Sequence, residues 1–98
     1  MPKRNELKEA FDRIEKLLEF PVDFPIKVVG RQTDDFVAQI ADAVRVHIPG
    51  FDPADLSLRS SAQGSWLSVT IPVRAESREQ LETLYLALGE HPLVQMVL

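Results

Sequence analysis

The stretch Trp66-Leu67-Ser68-Val69-Thr70-Ile71-Pro72-Val73 alternates more cleanly than any other in the chain. Side chains on a strand point to opposite faces in turn, so Leu67, Val69, Ile71 and Val73 share one face, and Trp66, Ser68, Thr70 and Pro72 share the other. The first face requires a hydrophobic core. The second, a lone tryptophan among small groups, faces solvent or a partner.

Working outward, Leu56 and Leu58 alternate with Ser57 and Arg59 in a shorter strand. Ser60-Ser61-Ala62-Gln63-Gly64 is a small polar link containing a glycine, which makes the two strands an antiparallel hairpin. After Arg74, Ser77-Arg78-Glu79-Gln80 reads as a capping box opening a helix with Leu81, Leu84, Tyr85 and Leu88 as its apolar stripe and Gly89 as its stop. Leu93 to Leu98 is an apolar run too short for a lone helix and reads as a last strand. Upstream of the hairpin, Ile26 and Val28, with Phe24, make the core face of a first strand that Gly30 stops. Thr33 then caps a helix with Asp34 and Asp35 in its first turn and Phe36, Val37, Ile40, Ala41, Val44 and Ile48 as its buried stripe, ended by Pro49-Gly50.

Two strand-helix-strand units with right-handed crossovers give an α+β, ferredoxin-like βαββαβ sandwich. Its four-stranded antiparallel sheet carries two helices on one face, with the opening stretch central and the last strand at an edge. Ahead of this domain, at residues 20–98, the segment 1–19 forms an extra amphipathic helix over Asn5 to Leu18. Leu7, Ala10, Phe11, Ile14, Leu17 and Leu18 make its stripe, Asn5 its cap, and the plan assigns it no docking site. Phe20-Pro21 ends it.

A length of 98 residues bounds the chain to one domain, and the absence of cysteine excludes disulfides, thiolate chemistry and sulfur-based zinc sites. A cytoplasmic protein is expected, with no membrane span. With 11 basic and 15 acidic residues the formal charge is −4, and Arg31, Arg45, Arg59, Arg74 and Arg78 are spread singly along the chain. Nucleic acid is therefore not expected as a partner.

Several short runs resemble the YbeD family of small uncharacterised bacterial proteins. They are Leu17-Leu18-Glu19-Phe20-Pro21, Lys27-Val28 with Gly30, His47 with Pro49-Gly50, Ser60-Ser61 with Gly64, Ser68-Val69, Glu82-Thr83-Leu84-Tyr85, and Val94 with Met96-Val97-Leu98. The chain departs from that pattern in a longer N-terminal helix and a longer link between Gly50 and Leu56. The resemblance implies a fold like that of ACT regulatory domains, which bind small effectors at interfaces between copies. It also implies a link to control of lipoate metabolism, and it carries over no catalytic residue.

The turn Gly30-Arg31-Gln32-Thr33 is the candidate ligand site, because a glycine ahead of a helix N-terminus leaves N–H groups open to a ligand. Asp34 and Asp35 occupy the helix dipole there, so a zwitterion or neutral group fits better than an anion; a plain tight turn is the simpler reading. Acylphosphatases share this topology and pair an arginine at this turn with an asparagine on a neighbouring strand. Asn5 is the only asparagine here and lies in the first helix. His47 and His91, the only histidines, both fall beside helix C-termini. No enzyme, metal or cofactor is expected.

RNA-recognition modules also share the topology, but Trp66 alone lies on the open face and their glycine-aromatic motif is absent. The candidate partner surface is Trp66, Leu93, Met96, Val97 and Leu98, with Phe11 on the first helix, because an apolar edge strand is normally covered or paired. A homodimer, a partner enzyme or a small effector are the expected partners of a regulatory domain; a ligand-free adaptor is the alternative.

Overall fold

A computed structural model describes residues 4–98. In chain order it contains α1 (Arg4–Ile14) running into a 3-10 turn at Glu15–Leu17, β1 (Val22–Arg31), α2 (Phe36–His47), a 3-10 turn at Pro53–Asp55, β2 (Ser57–Ser60), β3 (Trp66–Ala75), α3 (Arg78–Glu90) and β4 (Val94–Val97). The four strands form one antiparallel sheet in the order β2-β3-β1-β4. This is the α+β, ferredoxin-like plan that the alternation and crossover rules predict.

β3 is central, pairing β2 on one side and β1 on the other, and its core face is wholly apolar. Leu67, Val69, Ile71, Val73 and Ala75 are all buried. The register sets Ile71 against Ile26 and Val69 against Val28, on the same face as the helix stripes led by Phe36 and Leu81. Each such buried aliphatic stabilises the fold by about 1.5–3 kcal/mol. Leu58 lies opposite Val69 yet keeps 54% of its surface exposed, since edge strand β2 is flanked on one side only.

β1 is longer than its sequence suggests, running from Val22 through Pro25 and past Gly30 to Arg31. Pro25 pairs with Pro72 of β3. The N–H of Lys27 points at β4, donating to the Leu98 carbonyl at 3.2 Å, so by alternation the missing N–H of Pro25 faces the same side, beyond the paired residues of β4. On β3, Pro72 turns its nitrogen the other way, past the paired end of β2. Both prolines therefore sit where no ladder bond is lost. Gly30 is a packing position rather than a stop: a Cβ there would lie 2.4 Å from the Leu93 carbonyl oxygen and 2.7 Å from the Phe36 ring.

The capping box forms in modified shape. Ser77 Oγ accepts from the Gln80 N–H at 3.2 Å, and Gln80 Oε1 accepts from the N–H of Glu76 at 2.8 Å. Gly89 lies inside α3 rather than ending it. At α2 the helix begins at Phe36, with Asp35 as the boundary residue and Asp34 and Asp35 ahead of the first turn. The Thr33 hydroxyl donates to Asp35 Oδ1 at 3.0 Å instead of capping the backbone.

The N-terminal segment docks on α3. Leu7 and Phe11 enter the core, and the Phe11 ring packs 6.4 Å from Phe24 and 5.8 Å from Tyr85, centroid to centroid. Arg78, at the start of α3, binds three carboxylates at once: Asp12 and Glu15 at 2.6 Å each, and Glu82. It also donates to the Lys8 carbonyl at 3.1 Å. Those side-chain bonds, Glu82 first and Asp12 next, raise the guanidinium pKa above its already high value. Leu17, placed in the stripe by its spacing, is 81% exposed because the helix tightens to 3-10 geometry at Glu15 and swings it outward.

Candidate functional site

The helices cover one side of the sheet, and the other side has no covering layer among the described residues. Pleat and register place Arg59 and Ser57 of β2, then Trp66, Ser68, Thr70, Pro72 and Arg74 of β3, on that open face. β1 adds Arg31, Val29, Lys27, Pro25 and Asp23, and β4 adds Met96, with Leu98 paired to Lys27 just beyond it. One transverse row reads Arg59, Ser68, Val29, Met96, and the next Ser57, Thr70, Lys27, Leu98.

This arrangement divides the residues of the last strand. Leu93, Val94 and Val97 pack against the core, whereas Met96 and Leu98, 45% and 60% exposed, lie on the open face beside Val29. Trp66 is half-buried at the end of β3, with the Arg31 guanidinium 4.8 Å above its ring centroid. Phe11 is buried in its aromatic cluster and is not part of any surface.

The pleat also corrects how the bases are distributed. Arg31, Arg59 and Arg74 are far apart in sequence, yet together with Lys27 they share this one face. Asp23 is the single carboxylate among them and pairs with Arg74 at 3.0 Å. Among the described residues, Lys27, Arg31 and Arg59 have no carboxylate within ion-pairing distance. Arg45 and Arg78 lie on the helical side, paired to Asp42 and to the three carboxylates of the α1–α3 contact.

The turn after β1 is closed on itself. The Gln32 N–H donates to the Ser65 carbonyl at 3.0 Å, the Thr33 N–H to the Arg31 carbonyl at 2.9 Å, and the Phe36 N–H to the Thr33 carbonyl at 3.3 Å. Gln32 Oε1 accepts from the Ser60 hydroxyl at 2.8 Å. A side chain at position 30 would strike the Phe36 ring and the Leu93 carbonyl, so the glycine there reflects packing. Beside this turn lies a shallow recess of about 300 Å³ lined by Ser61, Ala62, Gln63, Ser65 and Trp66. A larger one, about 660 Å³, lies between α1 and α3, lined in part by Leu7, Lys8, Glu82 and Leu86.

The two histidines stand at helix ends. The His47 carbonyl accepts from Gln80 Nε2 at 3.3 Å, and His91 Nδ1 accepts from the Leu93 N–H at 3.1 Å. Among the described residues no group of three His, Asp or Glu could hold a metal ion. No helix among them is long and apolar enough to cross a membrane.

With this geometry in place, residues 15–98 match the family described as "Protein of unknown function (DUF493)". The chain belongs to that family. A UPF0250 protein of Janthinobacterium sp. (strain Marseille) is 52% identical over 87 residues, covering 89% of this chain and 96% of that one. A UPF0250 protein of Bordetella pertussis is 50% identical over 84 residues, 86% of this chain and 92% of that one. One of Chromobacterium violaceum is 45% identical over 87 residues, 89% and 98% of the two chains. The DUF493 match begins at Glu15, just past α1. It therefore includes every strand of the open face.

Proposed function

We propose that this DUF493 chain is a non-enzymatic, ACT-like regulatory domain of the bacterial cytoplasm that acts by docking its open sheet face on a partner protein. One observation carries the reading. Exposed Met96 and Leu98 lie with half-buried Val29 and Trp66 on the sheet face that no helix covers, beside Lys27, Arg31 and Arg59, which meet no carboxylate, while the polar groups of the turn after β1 are bonded internally. Tryptophan, methionine and arginine, residue types enriched at interfaces, gather there on one uncovered sheet face. The homodimer, expected through the apolar last strand, would instead pair the edge of β2, whose four residues are all exposed, and leave the face free. The link to lipoate metabolism enters as the control such docking would exert on a partner enzyme.

A second reading, effector binding at Gly30, Arg31, Gln32 and Thr33, would use the recess that adjoins this turn, although its lining comes from Ser61 to Trp66. Its uncharged lining, in which Ser61, Gln63 and Ser65 stand beside Ala62 and Trp66, suits a small neutral or zwitterionic molecule better than an anion.

Site-specific photocrosslinking in cells separates the readings. A photoreactive residue at Val29 is expected to give discrete protein adducts that the same group at exposed Glu9 of α1 does not. Absence of adducts at Val29, together with a rise in melting temperature from an amino acid or lipoate-related compound that Arg31→Ala removes, would replace docking with effector binding.

A further inference from the structure

The fold sorts charge by layer. The chain as a whole carries −4, yet the side chains of its open face include four cations, Lys27, Arg31, Arg59 and Arg74, against the single side-chain carboxylate of Asp23. The helical side takes the acids, including the Asp12, Glu15 and Glu82 cluster around Arg78. A molecule polarised in this way attracts an acidic surface to one face and repels it from the other.

The layout of the face narrows the partner further. Its aliphatic part, Val29, Met96 and Leu98, lies toward the β1–β4 side, Arg59 lies on β2, and Arg31, at the end of β1, reaches over Trp66 of β3. With strands about 4.8 Å apart, four strands span about 14 Å, room for one extended segment to lie on the face. A single-stranded nucleic acid would need flat rings on which to stack its bases. Trp66 is the one aromatic ring on the face, and the Arg31 guanidinium already covers it. A second copy laid face to face would set four cations against four.

We propose that the open face receives an acidic protein segment carrying at least one large apolar side chain. The carboxylates pair with Lys27, Arg31 and Arg59, and the apolar side chain fills the space between Val29, Met96 and Leu98. This rests on the docking reading and gives it a chemistry.

Fluorescence anisotropy with the full chain tests it, using a labelled twelve-residue peptide of three Glu-Glu-Leu-Glu repeats, its all-glutamine counterpart and a dodecamer of thymidylate. The acidic peptide is expected to bind about ten-fold or more tightly than the glutamine peptide and to weaken as salt rises. Lys27→Glu with Arg59→Glu is expected to abolish binding with the circular dichroism spectrum unchanged. The milder Lys27→Gln and Arg59→Gln, each alone, are expected to lower it stepwise. Met96→Ser is expected to weaken binding without altering its salt dependence. Equal binding of the two peptides, equal or tighter binding of the oligonucleotide, or no loss in the double variant would overturn the proposal. If adducts at Val29 form but the acidic peptide shows no preference, docking stands and the acidic chemistry falls. If both fail, docking itself falls.

Discussion

Two arginines show how differently the two sides of this molecule use charge. Arg78 has only 14% of its side chain exposed, and its guanidinium is surrounded by Asp12, Glu15, Glu82 and the Lys8 carbonyl. Arg31 is exposed, rests on Trp66 and meets no carboxylate. The first belongs to the fold, because a planar group with five donors joins two helices by satisfying acceptors from both. The second is available, and so are Lys27 and Arg59 beside it. Substitutions on the helical side should therefore cost stability, and those on the open face should cost binding.

The largest effect is expected at Phe11. Phe11→Ala removes the ring that ties α1 to Phe24 and Tyr85, and a loss of about 3–5 kcal/mol should appear in urea unfolding, with α1 amides exchanging fastest. A loss under 1 kcal/mol would mean that α1 is an appendage rather than part of the core. Next comes Gly30→Ala, where the added methyl meets the Leu93 carbonyl and the Phe36 ring. A destabilisation of about 1–3 kcal/mol is expected from overpacking, and an unchanged midpoint would return Gly30 to a ligand-site role.

Tyr85 gives a pH test on the helical side. Burial raises its phenol pKa above the ordinary value of 10.0. The folded state thus holds its proton at pH values where the unfolded state has lost it, so stability falls as pH rises from about 10 toward the folded pKa. Tyr85→Phe should flatten that alkaline decline. At neutral pH it should cost about 0.5–1.5 kcal/mol through the lost bond to the Leu98 carbonyl, 3.3 Å away. An unchanged alkaline decline would show that the group titrates as if exposed.

The smallest effects on stability belong to the open face. Arg31→Ala forfeits a cation–π contact of about 0.5–1 kcal/mol, and Arg59→Gln should fall within about 0.5 kcal/mol of the parent. A loss above 2 kcal/mol at either position would make these cations structural and erase the contrast with Arg78.

Much of the fold is legible in residues 66–73 and their neighbours, because a period of two and a period near four leave separate marks. The alternation of Leu67, Val69, Ile71 and Val73 defines a strand, its core face and its central place. Ser77 and Gln80 mark a helix start through the bonds they make. Where prolines and glycine lie within a strand the local signal misleads. Pro25 and Gly30 read as boundaries, yet Pro25 loses no ladder bond and Gly30 makes room for Phe36. The candidate site was legible in part: Trp66, Met96 and Leu98 could be placed on a surface, but Phe11 could not be placed in a core without its partners Phe24 and Tyr85.

The sequence by itself determined the order of elements, the apolar face of each and hence the sandwich, since each of these follows from spacing within a dozen residues. Tertiary structure alone decided where charges meet. Lys27, Arg31, Arg59 and Arg74 come from three strands, and only the register of β1, β2 and β3 brings them to one face. The same is true of Asp12, Glu15 and the Lys8 carbonyl, which α1 and the turn after it bring to Arg78. Net charge is a sum over the chain, whereas an electrostatic surface depends on distance, which strand pairing sets.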